Sequence, residues 1–134
     1  MMLKKKLPGE PICCIRPGRG CSCSEDGTHR IFTACEKERL SGLVCRNAKL
    51  NRVDFSNANL REAEFHRVSL VAADFSGADL RCASFIGCDL REARFEGALF
   101  QFTRFDRSWL IGAHGLSEPM REYVRQQGAH LWIS

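Results

Sequence analysis

Large apolar residues recur in this chain at every fifth position: Leu50, Phe55, Leu60, Phe65, Leu70, Phe75, Leu80, Phe85, Leu90, Phe95, Phe100, Phe105 and Leu110, with Leu40 and Cys45 extending the series upstream. Two positions before them runs a second series, of small residues: Ala48, Val53, Ala58, Ala63, Val68, Ala73, Ala78, Ala83, Cys88, Ala93, Ala98, Thr103 and Ser108, continuing to Ala113. Between the columns the residues are mostly polar, as at Asp54, Asn59, Glu64, Asp74, Asp79 and Asp89. A period of five matches neither the 3.6 of a helix nor the 2 of a long flat strand. It suits a short extended step followed by a corner, because residues two apart in a strand point to the same side and the corner restarts the pattern.

Four such steps close a square coil of twenty residues, and successive coils stack as parallel strands. Read at that spacing, positions 55, 75 and 95 are all Phe, 65, 85 and 105 are all Phe, and 50, 70, 90 and 110 are all Leu; 60 and 80 are Leu, with Phe100 the departure. Phe stacks are therefore expected on one opposed pair of faces and Leu stacks on the other, with every five-spaced position from 50 to 105 buried. A type II corner needs positive φ at its second central residue, where Gly and Asn are tolerated best. The column Asn57, Gly77, Gly97 predicts type II corners after the Phe55, Phe75 and Phe95 steps; the columns holding Arg67, Arg107, Glu62 and Glu92 predict a different corner.

The runs Ser56-Asn57-Ala58-Asn59-Leu60-Arg61-Glu62-Ala63-Glu64-Phe65 and Gly77-Ala78-Asp79-Leu80-Arg81 resemble the pentapeptide-repeat family, a likeness that extends over residues 40–115. The resemblance implies an all-β solenoid, a right-handed quadrilateral β-helix. Counting in twenties gives about 3.5 coils, roughly 17 Å of rod at the spacing of hydrogen-bonded strands.

A stack of coils leaves its terminal edges open, so caps are required. At the C-terminus Ser117 suits an N-cap and Glu118-Pro119 a first turn, and Met120, Tyr123, Val124 and Gln127 share one face before Gly128. The expected organisation is a Cys-rich, Pro- and Gly-containing segment at 1–39, a repeat body at 40–116, and a capping α-helix with an apolar tail at 117–134. Within the first segment, 31–35 reads as a strand that starts or caps the first coil. The tail Ala129-His130-Leu131-Trp132-Ile133-Ser134 either folds back on the cap, the default, or forms a homodimer contact at that end.

Charge changes the picture little. The net charge is +4, but residues 41–116 hold ten Lys/Arg against nine Asp/Glu, so the rod is nearly neutral and shows no basic stripe for nucleic acid. Lys4-Lys5-Lys6 reads as a solvated terminus. No stretch suits a membrane span or a signal peptide, and a cytoplasmic location is expected.

The eight cysteines read as free thiols in that setting. Cys13, Cys14, Cys21, Cys23, His29 and Cys35 hold enough soft ligands for zinc, but lack the paired C-x-x-C spacing of a zinc knuckle, and no metal site is assigned. Cys45 and Cys88 fall in core columns and Cys82 at a corner. His66 and His114 lie at or near corners, and the carboxylates at 54, 64, 74, 79 and 89 lie on outward faces. General acid–base catalysis needs a concave, dry setting. No catalytic or cofactor-binding residue is therefore assigned, no cofactor is expected, and Arg61 and Arg81 are expected to pair with neighbouring acidic rungs. The function expected is a non-catalytic scaffold that docks a protein partner. Two alternatives stand beside it: a DNA-mimicking topoisomerase modulator, implied by the resemblance but opposed by the near-neutral charge and short rod, and a metal-binding regulator using the N-terminal cysteines.

Overall fold

In the computed structural model of the chain, the described residues are Ile12–Cys14, as backbone, and 37–131. The expected strand at 31–35, Lys4 to Lys6, Cys21, Cys23, His29 and Cys35 lie outside them. The elements are β1 (Ile12–Cys14), β2 (Val44–Arg46), β3 (Glu64–His66), β4 (Ser84–Ile86) and the helix α1 (Glu118–Gln126).

The five-residue period folds into four sides, each named here by a central residue. On the Phe85 side β2, β3 and β4 pair in parallel, with Cys45 opposite Phe65 and Phe65 opposite Phe85, and Ser84 bridges onward to Arg104. The Phe75 side runs Asp54, Asp74, Arg94, His114, and the Leu80 side runs Asn59, Asp79, Leu99. On the Leu90 side the rungs are Lys49, Ser69, Asp89, Trp109 and His130. Every step is twenty residues except the last, where α1 intervenes. At the opposite end β1 pairs antiparallel with β2, Cys13 opposite Cys45, which occupies the first edge of the Phe85 side.

Inward-pointing positions make the core. All five-spaced residues from Leu50 to Phe105 are buried, as is the small series from Ala48 to Ala113. Rings stack along two opposed sides, Phe55–Phe75–Phe95 at 5.5 and 5.4 Å and Phe65–Phe85–Phe105 at 4.9 and 5.3 Å between centroids. Across the interior Phe75 meets Phe85 edge to face at 5.5 Å. Each buried Leu or Phe contributes about 1.5–3 kcal/mol, and an aromatic pair about 0.5–1.5 kcal/mol more.

The corners depart from expectation. After Phe55, Phe75 and Phe95 they do close with an i→i+3 hydrogen bond and positive φ at Asn57, Gly77 and Gly97, the type II combination. The same combination also occurs at Glu62, Glu92 and Arg107, where a different corner was expected. Left-handed backbone at Glu62 and Glu92 persists because the ladder over-determines it: the Glu62 N–H is held by Arg81 O at 3.1 Å and that of Glu92 by Ile111 O at 3.0 Å. Arg67 does sit in a different corner. At Asn47, Arg67 and Gly87 φ is also positive, yet the chain bends without the closing bond.

Two of those open corners receive Cys88 and Ser108, whereas Thr103 bonds at a corner that is already closed by the Ala83 N–H. With no turn bond to receive, Phe65 O accepts from Cys88 Sγ at 3.1 Å and Phe85 O accepts from Ser108 Oγ at 2.8 Å. Ser108 Oγ in turn accepts from the Cys88 N–H at 3.1 Å. Thr103 Oγ1 donates to Leu80 O at 2.6 Å. Buried polar atoms are stable only when partnered in this way.

The C-terminal cap forms as its signals require. Ser117 Oγ accepts from the Met120 N–H at 3.5 Å, Glu118 sits in the first turn and Arg125 in the last, matching the helix dipole. Val124 is buried, Met120 and Tyr123 pack beside it, and Tyr123 Oη donates to Thr103 O at 2.6 Å. After Gly128, in left-handed backbone at φ 86°, the chain returns to the rod, burying Ala129 and Leu131. There the His130 N–H donates to Ser108 O at 2.8 Å, and the His130 carbonyl accepts the Leu110 N–H at 2.6 Å. Fold-back of the tail thus holds as far as Leu131, and its form is an added strand rung.

Candidate functional site

The ionisable residues singled out by the sequence are spread around the rod, and most sit in local pairs. Asp79 accepts both Arg81 Nε and Nη2, at 2.8 and 2.7 Å, and Asp89 accepts the same two atoms of Arg91 at 2.8 and 2.7 Å. Arg81, with help from Arg61, holds the Asp79 carboxyl below the usual range despite some burial. Arg81 thus pairs within its own strand and not with a neighbouring rung. Asp54 is partly desolvated, but hydrogen bonds from the Ser56 hydroxyl and N–H and from Lys37 Nζ keep it lowered. Asp74 receives the Ser76 N–H at 2.9 Å, and Glu64 faces His66 at 3.2 Å. His114 is exposed at the rim.

Of the cysteines whose side chains are described, Cys45 and Cys88 are core residues. Cys45 is buried, and burial pushes the Cys88 thiol up to about 12, so it stays protonated and serves as a donor to Phe65 O. Cys82 is exposed beside Phe102 in its corner column. Among the described residues no three His, Cys, Asp or Glu side chains gather to hold a metal, and no helix is long and apolar enough to cross a membrane.

What the five-residue pattern did not reveal is a groove of about 630 Å³ on the Leu90 side, lined by Val71, Arg91, Glu92, Trp109, Ile111, Gly112 and His130. It forms where outward columns turn apolar. Asn51, Val71, Arg91 and Ile111 make one column and Lys49, Ser69, Asp89 and Trp109 the next, so Trp109 ends a series that is polar below it. The indole is 51% exposed, and the His130 ring lies 5.5 Å from it at 57°. Gly112 stands beside Glu92: a Cβ there would come within 3.3 Å of Glu92 Cγ, so the corner without a side chain keeps the groove open. The signal that could have found this face is the set of apolar residues at outward positions, Val71, Trp109 and Ile111.

Comparison with known proteins places this geometry. A family profile described as a pentapeptide repeat region matches residues 31–95, and one described as pentapeptide repeats in eight copies matches residues 78–114. Among solved structures, the chain is similar to a pentapeptide repeat protein from the thylakoid lumen of Arabidopsis thaliana, at 33% identity over 58% of this chain and 50% of that one, with a TM-score of 0.49. It is also similar to a pentapeptide repeat protein from the cyanobacterium Cyanothece 51142, at 22% identity over 70% of this chain and 53% of that one, TM-score 0.48. A third is HetL of the cyanobacterium Nostoc, a pentapeptide repeat protein involved in heterocyst differentiation regulation, at 26% identity over 68% of this chain and 35% of that one, TM-score 0.47. The chain spans about half the length of the first two and a third of HetL. No curated protein matches it.

Proposed function

Since the chain belongs to the pentapeptide-repeat family, we propose that it is a non-catalytic interaction module, a short right-handed rod of about 3.5 coils that docks a protein partner against its Leu90 side. The observation that carries this reading is Trp109, a half-exposed indole set in a groove on a rod whose other outward positions are largely polar. Tryptophan is enriched among the residues that dominate binding energy, and it does so from concave settings that exclude water. Asp79, Asp89 and Asp54 are held by Arg81, Arg91 and Ser56, which supports a binding role over a catalytic one for these outward carboxylates.

The C-terminal cap supports docking through a side. α1 turns Glu118, Glu122, Arg125 and Gln126 to solvent, the polar outer surface expected of a solenoid cap. That favours a monomer. The reading is tested by capturing partners from native extract with the intact chain and with Trp109→Ala in parallel. A stoichiometric protein retained by the first and lost by the second is the expected result. A partner held equally by both would refute docking at this face.

A further inference from the structure

We infer that the groove on the Leu90 side is built for a basic side chain of the partner, an arginine or lysine; this rests on docking at that side as proposed above. The lining charges decide it. Arg91 is held two-pronged by Asp89, at 2.8 and 2.7 Å, so its guanidinium is already satisfied. The charged side chains of the lining are Arg91 and Glu92, with His130 beside them; Glu92 makes no salt bridge among the described residues, and Arg91, taken up at close range by Asp89 outside the lining, acts on it only through space. Gly112 opens the space directly beside the Glu92 side chain.

Each class of occupant meets this arrangement differently. An apolar side chain closing over the groove would strip water from Glu92 and supply nothing in return, which is strongly unfavourable. An acidic one would face the same carboxylate with the same charge. A guanidinium or ammonium pairs with Glu92, lies against the electron-rich face of Trp109, and lays its aliphatic stem over Val71 and Ile111. The volume, about 630 Å³, is within the usual range for a ligand site, roughly 300–1,000 Å³.

The test is an NMR titration of the full chain with three capped pentapeptides that differ only in a central Arg, norleucine or Glu, at constant ionic strength. The Arg peptide is expected to shift the Trp109 indole and Gly112 amide signals, while the other two leave them in place. Glu92→Gln should weaken the Arg peptide by about twofold to fivefold, the range for one exposed ion pair. Trp109→Phe, which keeps an aromatic wall, should weaken it less than Trp109→Ala. Equal binding of the norleucine or Glu peptide, or an Arg response unchanged by Glu92→Gln, would overturn the inference. If no peptide perturbs the groove while Trp109→Ala still abolishes partner capture, the basic-side-chain inference falls and docking stands; if capture survives Trp109→Ala, docking itself has failed.

Discussion

The Leu80 and Leu90 sides stand opposite each other on the rod and are built from the same unit. Asp79-Leu80-Arg81 and Asp89-Leu90-Arg91 bury the central Leu and clamp Asp to Arg with matching bond lengths, 2.8 and 2.7 Å on each side. Both sides then turn apolar at the last coil, through Leu99 and Phe102 on one and Trp109 and Ile111 on the other. They differ one rung further along the rod. Trp109 is bridged by a further rung, His130, whereas among the described residues no rung continues beyond Leu99. Phe102 is left 81% exposed at a corner, and Trp109 is gathered into a groove. Repetition therefore makes the scaffold, and the return of the chain after α1, outside the repeat, makes one side differ from its opposite.

The largest effect should come from the interior that both sides share. Phe85→Ala removes a ring stacked between Phe65 and Phe105 and should destabilise the chain by about 3–5 kcal/mol in chemical denaturation. Loss on both sides in one transition is expected; separate transitions would show that the sides are not one core. Truncation after Gly128 sharpens the contrast, because it deletes the extra rung and buried Leu131 and should cost about 1.5–3 kcal/mol. Hydrogen exchange should then accelerate at Leu110, which loses its His130 acceptor, and stay unchanged at Leu80.

Most of this scaffold was legible in the chain. Leu and Phe at a strict period of five left one way to bury them all, and Ser117 with Glu118 and Pro119 marked the cap because a helix start has few chemical solutions. The corners were not legible at Glu62, Glu92 or Arg107. Residue preference for positive φ is worth about 1–2 kcal/mol, less than the ladder and stacking contacts that hold the turn. Nor was the groove, since His130 joins the Leu90 side one residue out of register and no repeat pointed to it. Cys88 could be placed in the core but not given its task, because the open corner at which its thiol reaches Phe65 O is visible only in three dimensions.

A smaller effect isolates that corner chemistry. Ser108→Ala leaves Phe85 O and the Cys88 N–H without their shared partner and should destabilise by about 1–3 kcal/mol, with Ser108→Thr a milder change if its hydroxyl restores the bond. The smallest concerns the clamps. Asp79 is held below its ordinary value by Arg81, so its contribution is present above the unfolded carboxylate value and is lost as pH falls through the lowered folded value. Thermal unfolding of Asp79→Asn beside the parent should therefore show a slight deficit at neutral pH that closes in acid; a gap that persists below the folded value would assign the loss to packing.

The most direct measurement compares the two opposed sides in one experiment. A photo-crosslinking residue is placed at Ile111 on the Leu90 side or at Gln101 on the Leu80 side, and each chain is irradiated in native extract. Crosslinking of a single protein from position 111 and not from 101 is the predicted result. A partner captured from 101 alone would contradict docking through the groove and transfer it to the side that carries Phe102.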